Sequence, residues 1–341
     1  MAEVVLGKTK IRTNKNGFGA LPIQRVSVEY ASELLQKSYD AGISFYDTAR
    51  AYSDSEEKIG KALSNVRENI YIASKTMATT VEDFWKDLNM SLQMLQTNYI
   101  DIYQFHNPDF CPHPNDGTGL YQAMLEAREK GMIRFIGLTN HRLHIAEEAV
   151  LSGLYDSLQF PLSYLSSERD LHLVKLCQEN NVGFIAMKAL SGGLITKASA
   201  AYAWLAQFDN VLPIWGIQRE KELDEFLCYI DNPPVFNEEI NVIIAKDRQE
   251  LSGNFCRACG YCMPCPVGIK INICARMIQL IRRSPSAKFL DEKTQASMMK
   301  IEDCLDCGQC KLNCPYELDT PKLLKDNLDD YKKILSGEHQ I

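Results

Sequence analysis

Two hydrophobic patterns alternate along the N-terminal part of this chain. Short apolar, β-branched and aromatic runs centre near Phe18, Phe45, Ile72, Ile102, Phe135, Leu158, Ile185 and Ile214, and read as buried strands. Between them, apolar positions fall near helical spacing over Glu29–Asp40, Glu56–Leu63, Val81–Leu95, Tyr121–Lys130, Ile145–Leu151, Arg169–Asn180, Ala198–Phe208 and Glu220–Ile230. Eight strands, each followed by a helix or helical turn at a recurrence of about thirty residues, suit a (β/α)8 TIM barrel of roughly 250 residues. A short hairpin around Gly7-Lys8, from Val4 to Thr13, precedes the first barrel strand. The alternative, an open doubly wound sheet, lacks support because no GxGxxG stands between the first strand and the first helix.

The pattern changes after Asp231-Asn232-Pro233-Pro234, which ends the last barrel helix, and Glu238–Leu251 reads as a connecting helix. This divides the chain into a barrel over residues 1–235, a helical linker over 236–254 and a second domain over 255–341. That domain carries two cysteine runs, Cys256, Cys259, Cys262, Cys265 and Cys304, Cys307, Cys310, Cys314, each followed by proline. The second run has the CxxCxxCxxxCP spacing of bacterial ferredoxins, in which three cysteines bind one cubane and the fourth crosses to the other cluster. The first run is one residue shorter before its last cysteine.

By that crossing rule, Cys256, Cys259, Cys262 and Cys314 hold one [4Fe-4S] cluster, and Cys304, Cys307, Cys310 and Cys265 hold a second. Paired CxxC units also build zinc sites, but runs of four with a trailing proline favour iron-sulfur. Cys111, Cys177, Cys228 and Cys274 lack such spacing and read as packing residues. The span between the runs is helical in character over Ile271–Ile281 and Ala287–Ile301. It resembles the α-helical ferredoxin modules of multi-subunit dehydrogenases more than the compact βαβ ferredoxin, so a small, mainly α-helical ferredoxin-like domain is expected.

Composition narrows the function classes. The 341 residues carry a formal charge of -7 and no basic tail, which argues against nucleic acid as a partner. Met1 to Lys10 contains no apolar signal core, and no apolar stretch is long enough to span a bilayer, so a cytoplasmic protein without a membrane partner is expected. In that compartment, eight of twelve cysteines in tight runs mean metal rather than disulfides.

Three predicted strands end in chemically useful residues. One ends at Asp47, with Tyr52 on the loop that follows; the next runs into Lys75; the third runs into His106. Parallel barrel strands share one C-terminal face, where such barrels hold their active sites. Taken singly, a half-buried tyrosine, a surface lysine and a loop histidine have duller explanations, but their shared position after successive strands does not. Reducing a carbonyl with a hydride requires a proton on the oxygen as charge develops there, and a phenol of ordinary pKa near 10 needs a nearby cation to give one up. Lys75 supplies that cation to Tyr52, Asp47 holds the ammonium, and His106 orients the substrate oxygen.

At these residues the chain resembles the aldo-keto reductases, through Phe45-Tyr46-Asp47-Thr48-Ala49 with Tyr52, Ser74-Lys75, Gln104-Phe105-His106-Asn107, Gly137-Leu138-Thr139-Asn140 and Gln159. The resemblance covers roughly residues 4 to 230. It implies that Asp47, Tyr52, Lys75 and His106 are the catalytic tetrad, and that Thr139, where serine is more usual, Asn140 and Gln159 hold a nicotinamide carboxamide. The remaining cofactor positions it implies are Gly19, Met187, Lys188, Gly192, Gly193, Gln218, Arg219 and Glu222. Several depart from the family: Met187 stands where an aromatic ring often stacks, and Glu222 and Phe226 replace a Gln/Asn pair at the adenine. Arg219 is the candidate cation for a 2'-phosphate, and a solvated surface role is the alternative; NADP(H), NAD(H) and a degraded cofactor site stay open, in that order.

With the cysteine domain added, the chain resembles the ferredoxin-tailed branch of this family. The expected function is nicotinamide-dependent reduction of a small-molecule carbonyl, or the reverse alcohol oxidation, with a module that exchanges electrons with ferredoxin or another carrier. Hydride is an electron pair and a cluster moves one electron, and no flavin fingerprint bridges the two. Two alternatives follow: cluster electrons reduce a barrel-bound substrate, or the barrel only binds a ligand and the protein carries electrons.

Overall fold

The computed structural model describes residues 3–251, 255–283 and 289–339. A hairpin of β1 (Glu3–Val5) and β2 (Arg12–Asn14) leads into β3 (Gly17–Gly19). The alternating units follow: α1 (Val28–Asp40), β4 (Phe45–Asp47), α2 (Ser55–Leu63), β5 (Tyr71–Thr76), α3 (Val81–Met94), β6 (Ile100–His106), α4 (Leu120–Glu129) and β7 (Ile133–Thr139). Then come α5 (Leu143–Leu151), β8 (Ser157–Pro161), α6 (Glu168–Glu179), β9 (Gly183–Met187), α7 (Ala198–Leu205), β10 (Val211–Gly216) and α8 (Glu220–Asp231).

Strands β3 to β10 close into an eight-stranded barrel in sequence order, with β10 pairing back onto β3, and every neighbouring pair is parallel. All eight expected strands are present. Closure at the β10–β3 seam needs small residues: a Cβ on Gly19 would stand 3.0 Å from the Trp215 carbonyl oxygen. Val4, Leu6 and Ile11 of the hairpin region share a buried cluster with Phe45, Ile102, Ile185 and Leu212. Apolar residues from the beginnings of several strands are thereby covered, and the hairpin closes the barrel's N-terminal end.

The helices start where the local chemistry allows. Ser27 and Thr80 accept from Tyr30 N and Asp83 N to cap α1 and α3, and Ser167 with Asp170 forms a capping box on α6. At the start of β6, Asp101 is fully buried, yet it accepts from Arg67 at 2.7 Å, from Arg134 at 2.9 Å and from Ile72 N at 3.0 Å. A buried carboxylate is tolerable only with such partners.

The chain forms two compact units: residues 1–189 with 198–241, and residues 190–197 with 242–341. The division falls inside α9 (Glu238–Glu250) rather than at residue 235, and residues 190–197, between β9 and α7, belong to the second unit. The last residues of the expected linker, 252–254, lie outside the described residues.

In the second unit the expected long helical spans are shorter. Ile271–Ile281 divides into α10 (Ile271–Cys274) and α11 (Met277–Arg283), with Ala275-Arg276 between them. The Asn327 side chain accepts from Ile278 N at 2.8 Å, a tertiary cap on the new helix start. Ala287 lies outside the described residues, and the rest of its expected helix appears as α12 (Glu292–Met299) and a 3-10 turn over Lys300–Asp303. A short α13 (Gln309–Leu312) precedes α14 (Thr320–Ser336). Helix α14 was not expected, although its signals are present: Asp319 caps it, Pro321 enters its first turn, and Leu324, Leu328, Tyr331 and Ile334 recur at helical spacing. These four residues enter the unit's core with Ile269, Ile271, Cys274 and Met277.

Candidate active site

Asp47 and Lys75 end up side by side because β4 and β5 are adjacent and parallel, with Asp47 paired to Ala73 in register. Lys75 Nζ donates to Asp47 Oδ1 at 2.7 Å and to the Thr48 carbonyl at 2.6 Å. The pair is 2% and 1% exposed. Burial pushes the Asp47 carboxyl up and the Lys75 ammonium down, and the ion pair opposes both shifts. The ammonium lies 5.2 Å from the centre of the Tyr52 ring.

His106 closes the group at the end of β6, its ring edge-on to Tyr52 with 5.8 Å between centroids. Burial, and then the Lys75 charge, depress its pKa from 6.5 to about 3. The imidazole is therefore neutral at ordinary pH, and its Nδ1 is a buried polar atom with no partner among the described residues. The four predicted residues stand together at the C-terminal end of the barrel strands.

The expected cofactor residues divide into several groups. Thr139 Oγ1 meets a weak acceptor, Met187 Sδ at 4.0 Å, at the ends of β7 and β9. Gln159 Nε2 reaches Asp47 Oδ2 at 3.5 Å, while its Oε1 accepts from Gln104 Nε2 at 2.8 Å. The Asn140 amide is committed locally: Nδ2 donates to the Pro108 carbonyl, and Oδ1 accepts from His141 N and Arg142 N. Lys188 adopts φ +57°, and Ser191, Gly192 and Gly193 follow at +49°, +65° and +91°, a left-handed run that glycine makes tolerable.

Glu222 accepts from Gln218 N at 2.9 Å and Arg219 N at 3.0 Å, so its carboxylate caps the start of α8. The Arg219 side chain is 73% exposed and reaches the same carboxylate at 3.4 Å. Phe226, at an expected adenine position, is instead buried and stacked on Trp215 with centroids 4.3 Å apart.

Sequence reasoning missed the support around the tetrad. Gln104 holds Gln159, and Glu56, almost fully buried, accepts from Ser74 Oγ at 2.5 Å and pairs with Arg50. The Arg50 backbone N–H in turn donates to the Lys75 carbonyl at 3.0 Å. The available signal was position alone: Gln104 lies next to the predicted strand end, and Glu56 sits one turn after Tyr52.

In the second unit the cysteines influence one another both within and between the two runs. Cys262 is pushed up to about 12 by burial and then by Cys256, Cys259 and Cys314, and Cys256 feels Cys259 and Cys314. Cys310 is raised by burial and then by Cys304 and Cys307. A cavity lined by Cys304, Cys307 and Cys310 also has Cys262 and Cys265 on its wall, with Pro264, Val267, Ile269 and Leu324 among its apolar lining. Among the described residues, no three metal-binding side chains draw close enough to hold a single ion. A ring of thiols around a larger space fits a cubane, whose thiolates stand farther apart.

Comparison with known proteins decides the family. The model described as the aldo/keto reductase family matches residues 13–201. The chain belongs to that family. A second model, described as a 4Fe-4S dicluster domain, matches residues 255–319.

Among curated relatives, the methylglyoxal reductase DkgA of Escherichia coli O157:H7 is 30% identical over 159 residues, covering 45% of this chain and 56% of that protein. The L-galactose dehydrogenase of Arabidopsis thaliana is 28% identical over 211 residues, covering 56% and 66%. The chain thus spans somewhat more than half the length of the curated relatives it matches. Among solved structures, an aldo/keto reductase from Klebsiella pneumoniae in complex with NADPH aligns with a TM-score of 0.62 at 20% identity, over 72% of this chain and 94% of that one. That likeness concerns the barrel fold. This aldo/keto reductase family member thus carries a region matching a 4Fe-4S dicluster domain after its barrel, and none of its described helices is long and apolar enough to cross a membrane.

Proposed function

We propose that this reductase transfers a hydride between NADP(H) and a small-molecule carbonyl or alcohol, with Tyr52 as the general acid and base. The reading is carried by Lys75, buried between Asp47 and the Thr48 carbonyl with its charge 5.2 Å from the Tyr52 ring. The nicotinamide, when bound, supplies the hydride. Tyr52 gives its proton to the carbonyl oxygen as that oxygen gains charge, and Lys75 stabilises the phenolate left behind. Burial lowers the lysine's pKa, and the Asp47 charge opposes that shift. Neutral His106 donates a hydrogen bond to the same oxygen without competing for its proton.

The residues available to the cofactor are Thr139 and Gln159 for the carboxamide, Met187 for the ring face, and Arg219 for a 2'-phosphate. The Thr139 hydroxyl, whose partner is the weakly accepting Met187 sulfur, fits that role best. In the second unit, Cys256, Cys259, Cys262 and Cys314 would hold one [4Fe-4S] cluster and Cys265, Cys304, Cys307 and Cys310 another. These would exchange single electrons with a ferredoxin-type partner.

The test of the barrel chemistry is Tyr52→Phe in the iron-loaded protein. Carbonyl turnover with NADPH should fall at least about a hundredfold, the lower range for losing a general acid, while quenching of NADPH fluorescence on binding persists. Unchanged turnover would sink the reading. A second reading, in which the barrel binds a ligand without turning it over, draws on the committed Asn140 amide and on the Glu222 carboxylate beside Arg219. Reversible cluster reduction without any NADPH binding would select it.

A further inference from the structure

Arg276, between α10 and α11, has no part in the chemistry above. It is 3% exposed. Its Nη2 donates to the Gly192 carbonyl at 3.0 Å and to the Ser191 carbonyl at 3.4 Å. A Cβ on Gly192 would stand 2.8 Å from Nη1, so this approach, like the φ of +65° there, calls for glycine.

On its other side, the flanking residues Ala275 and Met277 lie in the core against which Cys256 and Cys265 pack. The Arg276 and Cys256 charges are near enough to act on each other. Among the described residues no carboxylate pairs with the guanidinium, and its Nε has no partner. A buried cation bonded only to neutral carbonyls is costly to desolvate. Four thiolates around an iron-sulfur core carry net negative charge, which grows by one on reduction, and would offset that cost.

We propose that Arg276 is a positioning residue that neutralises the cluster on Cys256, Cys259, Cys262 and Cys314 and transmits its redox state to the Ser191–Gly192 turn. The proposal rests on the two-cluster reading above. When an external donor such as dithionite gives the cluster one electron, the donor is oxidised and the cluster's charge becomes more negative. The guanidinium is drawn towards the cluster, and its bonds to the Ser191 and Gly192 carbonyls weaken. The segment 190–197, which follows Met187 and Lys188 of the barrel, then loosens.

The experiment uses the iron-loaded full chain, titrated anaerobically with dithionite. Electron paramagnetic resonance follows each cluster, and hydrogen exchange follows the amides of residues 190–197. In the unaltered protein, these amides should exchange at least about threefold faster after reduction. Arg276→Gln should lower one midpoint potential and leave the other in place. A tenfold change in the reduction equilibrium is about 59 mV for one electron. Its 190–197 amides should exchange fast in both redox states.

Arg276→Lys keeps the charge but cannot fork across two carbonyls, so its midpoint should move less while the turn loosens as much. It also decides the matter if the glutamine variant fails to load iron. Unmoved midpoints in Arg276→Gln, or exchange that ignores reduction in the unaltered protein, would overturn the proposal. Iron and sulfide for one cluster rather than two would instead overturn the two-cluster reading, a result visible before any substitution.

Discussion

At the scale of single residues, the site works by burying charged groups in pairs and leaving one neutral ring beside them. The Asp47–Lys75 ion pair opposes the shifts that burial imposes on both groups, and His106 escapes the cost by staying neutral. This has a consequence for stability. The folded pKa of His106, about 3, lies below its ordinary 6.5, so the unfolded chain binds a proton that the native site refuses. Stability from the neutral ring is complete above pH 6.5 and is lost as pH falls from 6.5 towards 3, with a slope of at most about 1.4 kcal/mol per pH unit. Melting temperatures between pH 7 and 4 should fall less steeply for His106→Gln than for the parent; equal slopes would mean that the ring is protonated in the native state. Asp47, Tyr52, Lys75 and His106 were all legible in the sequence, because each follows a strand signal at a fixed short distance. Gln104 and Glu56 were not, because a residue that acts through another shows its role only once its partner is beside it.

At the scale of elements, parallel register turns strand neighbours into a polar layer inside the barrel. Gln104 on β6 pairs in register with Gly137 on β7, and Thr139 with Gln159 on β8, and side-chain hydrogen bonds run from Gln104 through Gln159 to Asp47. Gly137 makes room for them: a Cβ there would stand 2.6 Å from Ser157 Oγ and 2.8 Å from Gln104 Cγ. Gly137→Ala should therefore cost about 1–3 kcal/mol by overpacking and should also lower turnover by displacing Gln104 from Gln159. Chemical denaturation and carbonyl turnover measured on the same preparation check both effects; loss of stability without loss of turnover would separate Gln104 from the site. Register also explains Phe226. Its position in the sequence suggested a ligand contact, but α8 turns it inward onto Trp215. A helical spacing of apolar residues does not say which of them meets a neighbouring ring.

At the scale of the whole molecule, the chain forms two compact units, and the proposed ligand sets take cysteines from both runs of the second. Crossing predicts a test that sequential pairing fails. Cys265→Ser, in the first run, should remove the resonance signal lost with Cys304→Ser, whereas Cys314→Ser, in the second run, should remove the one lost with Cys256→Ser. The opposite pattern would mean that each run keeps its own cluster. By itself the sequence determined the barrel and its eight strands, and it placed Asp47, Tyr52, Lys75 and His106 at strand ends and the eight cysteines in two runs, because periodicity, strand-end position and residue spacing are local properties of the chain. It also held the signals for α14, whose cap, proline and apolar spacing lie in consecutive turns. Only the tertiary structure decided that residues 190–197 join the second unit, that the helical span breaks at Ala275-Arg276, and that Arg276 meets Gly192 across 84 residues of sequence. Those outcomes depend on desolvation and on hydrogen bonds between distant segments, and no local pattern carries the identity of a partner that arrives only when the chain has folded.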